Sequence, residues 1–141
     1  MKHVNDISSV LREMKRMLKK GGKLLIVEST PYTKEQCDIP TMAMRVVEPY
    51  HPRFFSKDEL NEMITKAGFK VKTHDLNVFR QKWLKKWAKA KNATPEQVER
   101  IYRIYKEAPD FFKEEQHVEL FDDEKEILND FPWSIVLAVK T

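Results

Sequence analysis

The stretch Leu11-Arg12-Glu13-Met14-Lys15-Arg16-Met17-Leu18-Lys19-Lys20-Gly21-Gly22-Lys23-Leu24-Leu25-Ile26-Val27-Glu28 governs how the rest of the chain is read. Its first part completes a helix capped by Asn5 or Asp6. Ile7, Val10, Leu11, Met14 and Leu18 follow the i, i+3, i+4, i+7, i+11 spacing of one apolar face. Lys15, Arg16, Lys19 and Lys20 crowd the end where the helix dipole favours cations. Gly21 suits the left-handed position that ends a helix, and Gly22 lets the chain reverse. The apolar run Leu24 to Val27, bounded by Lys23 and Glu28, then reads as a strand buried on both faces. A helix feeding such a strand through a two-glycine turn indicates an α/β fold.

Downstream, Pro31, Pro40, Pro49 and Pro52 break any periodicity between Ser29 and Phe55, although Met42 to Val47 fits a short helix. A connection this long in a compact domain marks a binding loop or lid. Ser56-Lys57-Asp58-Glu59 is a capping box opening a helix with Leu60, Met63, Ile64 and Ala67 on one face, and Gly68 closes it. Phe69-Lys70-Val71-Lys72-Thr73 alternates as a strand, with continuation through Leu76 and Val78. Residues 80–91 suggest a basic amphipathic helix carrying Trp83, Leu84 and Trp87. Thr94-Pro95-Glu96-Gln97 opens another helix with Val98, Ile101, Tyr102 and Tyr105 on its apolar stripe. An acidic stretch from Glu114 to Glu126 precedes a last buried strand, Trp133 to Val139.

At 141 residues the chain is the size of one domain and would bury roughly 68–70% of its unfolded surface. Gly21, Gly22 and Gly68 are its only glycines. They amount to roughly 2% of the chain, against an ordinary usage near 7%. Neither a P-loop nor a G-x-G-x-x-G dinucleotide fingerprint can be assembled from them, so the chain has no glycine-rich phosphate cradle. No apolar run reaches membrane-span length and the N-terminus lacks a signal-peptide core, which makes the cytoplasm the expected compartment. The lone Cys37 reads as a loop or packing residue, and the four histidines lack metal-site spacing. A net charge of +4 is too small to argue for nucleic acid. The Trp83 and Trp87 segment would suit a membrane surface or a single-stranded nucleic acid. The preferred reading is a core-facing helix whose basic side the acidic stretch neutralises.

The order of elements and two of its motifs resemble a known family. Residues 3–6 with Leu11 to Glu28 look like the segment after the fourth strand of class I S-adenosylmethionine-dependent methyltransferases of the type 11 group. Phe54-Phe55-Ser56-Lys57-Asp58-Glu59-Leu60 and Ala67-Gly68-Phe69-Lys70-Val71 resemble that family's penultimate helix and entry into the sixth strand. Lys20 stands where the family's L-K-P-G-G turn has proline.

The resemblance covers residues 3–79 and, more loosely, the final strand. It implies a partial Rossmann-like fold: a small mixed sheet, the 5-7-6 remnant of the family order 3-2-1-4-5-7-6, with flanking helices and a helical insert before the last strand. The expectation is a single domain over residues 1–141, with 3–79 methyltransferase-like, 80–130 a helical and acidic insert, and 131–141 the final strand. It also implies S-adenosylmethionine as cofactor, with the earlier, glycine-rich half that receives most of it lying outside this sequence. The chain alone is therefore expected to be inactive.

No residue is assigned a catalytic or metal-ligating role. By position in the family, His3 would lie near the cofactor, and Tyr32, Arg45, Tyr50, His51 and Arg53 would line the acceptor pocket, His51 doubling as a general base. The competing reading of Tyr50-His51-Pro52-Arg53 is a solvated turn. Without a neighbouring fourth strand, Leu24 to Val27 would be an unpaired apolar edge. It would be filled by a second copy or by an N-terminal-half chain. The alternative to a split enzyme is a non-catalytic module that binds a partner through this edge, and a site composed of two copies is the third reading.

Overall fold

The computed structural model describes residues 7–141. Helix α1 (Ile7–Met17) leads through the glycine turn to strand β1 (Lys23–Ser29), and a single 3-10 turn at Lys34–Gln36 precedes α2 (Asp38–Val47). Then come α3 (Lys57–Lys66), β2 (Phe69–Lys82), α4 (Leu84–Ala90), α5 (Pro95–Lys106), α6 (Asp110–Glu115), β3 (Glu119–Phe121) and β4 (Glu126–Lys140). The strand order is β1-β4-β2, with β3 pairing β4. This is the anticipated 5-7-6 order with the last strand in the middle. The β1·β4 ladder is antiparallel from Lys23↔Val139 to Ser29↔Trp133, and the short β3·β4 ladder is antiparallel as well.

The chain divides into two compact units. The first comprises the described part of Met1–Cys37 with Pro52–Asn77 and Pro132–Thr141. The second comprises Asp38–His51 and Val78–Phe131.

In the first unit Ile7 and Leu11 of α1, Leu60 and Ile64 of α3, and Ile26, Phe69, Val136 and Ala138 of the sheet form one aliphatic core. Gly21 has φ 81° and Gly68 φ 98°, left-handed values that glycine adopts without a Cβ clash. Lys140 Nζ donates to the carbonyls of Lys15 (2.7 Å) and Leu18 (2.6 Å), which satisfies acceptors at the end of α1. The capping box of α3 is complete: Glu59 N–H donates to Ser56 Oγ and Ser56 N–H to Glu59 Oε1, each at 3.2 Å.

One expectation changes. The β1 run is buried on one face only, since Ile26 is 3% exposed while Leu25 and Val27 are 65% and 54% exposed. Both faces are hydrophobic, but among the described residues only the Ile26 face is covered.

The second unit has an aromatic core. Trp83 sits edge-on to Trp87, Tyr105 and Phe131 with centroids 5.5–6.0 Å apart, and Tyr105 packs likewise on Phe112 at 5.7 Å. Burial drives the Tyr105 phenol well above its ordinary range. Helix α2 packs against α5, and Gln97 Nε2 donates to the Val46 carbonyl at 3.4 Å.

The expected helix over residues 80–91 is corrected here: β2 runs on to Lys82, and only Leu84–Ala90 is helical. The cause is tertiary. Arg80 Nη1 donates to Asp130 Oδ1 (3.1 Å) and the His117 carbonyl (2.6 Å), holding this segment to β4. The buried Glu126 carboxylate accepts the backbone N–H groups of Leu84 (2.7 Å) and Lys85 (3.3 Å), so a residue more than forty positions away caps α4.

The acidic stretch forms α6 and β3, and its ion pairs reach Arg80, Lys82 and Lys106. Arg80 and Lys82 belong to the basic 80–91 segment, so the acidic stretch neutralises the start of that segment, as expected.

Candidate functional site

The expected acceptor residues fall in two groups. Tyr32 and Arg53 belong to the first unit, and Arg45, Tyr50 and His51 to the second.

In the first unit the segment Thr30–Cys37 leaves the carboxyl end of β1. Thr30 N–H donates to the Pro132 carbonyl (3.0 Å), Tyr32 N–H to Gln36 Oε1 (3.2 Å), and Cys37 N–H to the Lys34 carbonyl (3.1 Å). Tyr32 is half-buried, and Cys37 is buried with its thiol directed at the Thr33 carbonyl, which fits a packing residue. Arg53 makes a forked contact with Glu59, 2.5 Å at the closer oxygen, and lies over the Phe55 ring at 4.5 Å. Burial alone would raise the Glu59 carboxyl, but the Arg53 guanidinium and the Ser56 N–H outweigh it and hold the group below its ordinary range. Arg53 is thus tied to the cap of α3.

In the second unit, His51 N–H donates to the Glu48 carbonyl (2.9 Å), closing a turn at the end of α2, and Arg45 Nε donates to the His51 carbonyl (2.9 Å). The turn divides its residues: Tyr50 is 89% exposed, whereas His51 is only 5% exposed. The solvated-turn reading therefore holds for Tyr50 and fails for His51. His3 lies outside the described residues.

A group that sequence reasoning missed sits in the first unit. His74 Nε2 lies 2.8 Å from Ser134 Oγ, and Ser134 Oγ lies 2.5 Å from Thr30 Oγ1, so one side chain from β2, one from β4 and one from the end of β1 form a polar chain. Ser134 and Thr30 are fully buried. The signal was a change of phase in β2. Phe69 and Val71 face inward, Lys72 and Thr73 are both exposed, and inward positions resume at His74 and Leu76. Such a one-residue slip is how a bulge re-aims a side chain. Burial, and then Lys57, hold the His74 imidazole below its ordinary value of 6.5, against the opposing pull of Asp58 and Asp75.

Among the described residues no group of three His, Cys, Asp or Glu side chains is placed to hold a metal ion, and no helix is long and apolar enough to cross a membrane.

Comparison with known proteins places this geometry. No curated protein matches the chain significantly. Among solved structures, a Bacillus halodurans C-125 protein described as a methyltransferase superposes with a TM-score of 0.82 at 22% identity, over 99% of this chain and 60% of its own. The YcgJ protein of Bacillus subtilis superposes at 0.81 and 18% identity, over 99% and 59% respectively. These likenesses establish the fold, and this chain spans about three fifths of their length. A methyltransferase-domain family model matches residues 1–74, which include the two-glycine turn, β1, the capped helix α3 and the start of β2. With more than half of its residues matched in this way, the chain belongs to the methyltransferase domain family.

Proposed function

We propose that this chain is the C-terminal, acceptor-side part of an S-adenosylmethionine-dependent methyltransferase. Methyl transfer takes place when a segment carrying the glycine-rich cofactor loop pairs with β1. The observation that carries this reading is the state of β1. Among the described residues it has a strand partner on one side only, and Leu25 and Val27 are exposed. The unpaired backbone edge fits a strand, and the exposed Leu25–Val27 face a covering element, which the remaining two fifths of the similar structures would contribute.

The glycines support the same division of labour. Gly21 and Gly68 serve left-handed turns, and a Cβ on Gly22 would meet the Lys19 carbonyl oxygen at 2.8 Å. None of them is left to let a backbone approach a ligand, so the described residues do not fit the sulfonium cofactor by themselves, and His3 is the only contact proposed from this sequence.

Transfer of a methyl group from a sulfonium is an in-line displacement, in which a protein acts by aligning the nucleophile and excluding water. Tyr32, Arg45, Tyr50, His51 and Arg53 are proposed for the acceptor side. Tyr50 has the exposure to touch a ligand directly. Arg45 fixes the His51 main chain, and Arg53 fixes the entry to α3.

Calorimetric titration with S-adenosylmethionine and its demethylated product tests the reading. The chain alone should give no heat of binding, and a mixture with a polypeptide carrying the missing strand and glycine-rich loop should bind both at micromolar level. Micromolar binding by the chain alone overturns the assignment. The same exposed edge favours a second reading, a non-catalytic module whose partner is another chain or a second copy. That reading gains if the β1 edge captures a strand without conferring cofactor binding, and a strict monomer in sedimentation removes the second-copy version.

A further inference from the structure

The polar chain His74, Ser134 and Thr30 ends on the first residue of the segment that carries Tyr32. Each hydroxyl has one proton to donate, and neither is exposed to water. His74 Nδ1 is also shielded from solvent and has no hydrogen-bond partner among the described residues. This selects the tautomer. With the proton on Nε2, the ring donates to Ser134 and leaves only a lone pair unengaged at Nδ1; with the proton on Nδ1, a buried donor would be stranded.

Charging the ring removes that choice. Both nitrogens then carry protons, and the Nδ1 proton has no acceptor at hand. The charges that act on the ring are Lys57 and Asp58 at the start of α3 and Asp75 on β2 itself, and Lys57 repels the cation. A charged imidazole is better solvated outside this position, and leaving it breaks the contact with Ser134.

We propose that His74 is a positioning residue: through Ser134 and Thr30 it fastens the segment Thr30–Cys37 to the sheet while its ring is neutral, and releases it when the ring is charged. The consequence for methyl-acceptor binding rests on the function proposed above, in which this segment carries Tyr32. The fastening itself does not rest on it.

Amide hydrogen exchange on the full chain, without ligand, tests the proposal. Protection factors, corrected for the intrinsic pH dependence of exchange, would be compared at about pH 7.5 and about pH 5.5, on either side of the ordinary histidine range. In the wild-type chain the amides of Thr30, Tyr32, Gln36 and Cys37 should lose roughly tenfold protection on acidification, the factor that accompanies one unit of differential protonation. The amides of Leu60 and Ile64 in α3 provide the reference and should hold.

His74→Gln, whose Nε2–H can donate to Ser134 but cannot charge, should keep the segment protected at both pH values. His74→Leu should leave it unprotected at both. A merely structural histidine would give no pH dependence in the wild type, and that result overturns the proposal, as does a wild-type pH response that persists in His74→Gln. If His74→Leu fails to fold, Ser134→Ala replaces it, with the same expected loss of protection. Because exchange is read without cofactor, its failure is separate from failure of the titration that tests methyltransferase function.

Discussion

The interior of each unit is held together by different means. The first relies on aliphatic contacts between helices and sheet, with its polar groups at turns, caps and the His74 chain. The second relies on an aromatic cluster joined to buried polar groups of one strand: Glu126 caps α4, Asn129 Oδ1 accepts the Trp83 indole N–H at 2.6 Å, and Asp130 accepts from Arg80 and contacts His117. Aliphatic contacts tolerate substitution roughly in proportion to lost volume, whereas a buried donor deprived of its acceptor incurs the whole desolvation penalty. The second unit should therefore be the more brittle.

The sharpest way to break this comparison is Trp83→Ala. It removes a 7%-exposed side chain that touches three aromatic rings and deprives the Asn129 Oδ1 of its indole donor. A loss of about 4 kcal/mol is expected from urea titration. Exchange protection at Leu60 and Ile64 should survive conditions that unfold α5. Simultaneous loss would show the two units to be one cooperative structure, and the contrast would then have no thermodynamic meaning.

Glu126→Ala asks whether the polar groups matter beyond packing. The carboxylate accepts from Leu84, Lys85 and Ile127, and its removal strands N–H groups at a buried helix start. About 3 kcal/mol should be lost, with Glu126→Gln recovering part of it through its remaining carbonyl oxygen. Equal losses in the two variants would mean that charge, not hydrogen bonding, dominates this cap.

These two sites also show what could be read from the residues in order. The two-glycine turn, the capping boxes at Ser56 and Thr94 and the strand order were legible because each follows from neighbouring residues or from the family pattern. The limits of α4 were not legible, because the Arg80-Gln81-Lys82 segment is compatible with a helix, and only Asp130, His117 and Glu126 make it a strand followed by a capped helix. The His74 chain was missed for the same reason. A histidine one position out of phase with Phe69 and Val71 has no local mark of its partner sixty residues away. The split between exposed Tyr50 and buried His51 likewise depends on how the turn after α2 closes, which adjacent residues do not determine.

In the first unit, Gly68→Ala probes a local constraint. The added Cβ would sit at φ 98° and clash with the end of the Lys15 side chain. Lysine is flexible and can withdraw, so most of the expected loss of roughly 1–2 kcal/mol should be backbone strain. Adding Lys15→Ala should then restore little. Substantial recovery in the double variant would locate the cost in packing, and would make this turn resemble the crowded second unit more closely than proposed.

The smallest effect concerns Glu59, where the first unit comes nearest to the second in style, with one carboxylate serving the Ser56 cap and the Arg53 guanidinium. Its folded pKa lies below the ordinary 4.5. In the acid range the unfolded chain therefore binds more protons at this position than the folded one, and stability rises with pH there. The contribution is complete above the unfolded value and is lost as pH falls through the folded one. Because the Arg53 side chain is 46% exposed, screening limits the contribution to about 0.5 kcal/mol. The difference between wild type and Glu59→Gln in urea midpoint should thus be visible near neutrality, shrink below about pH 4.5, the ordinary carboxyl value, and weaken with added salt. No difference between the two chains at any pH or salt concentration would assign the role of Glu59 wholly to the hydrogen bond it accepts from the Ser56 amide, which glutamine can also accept.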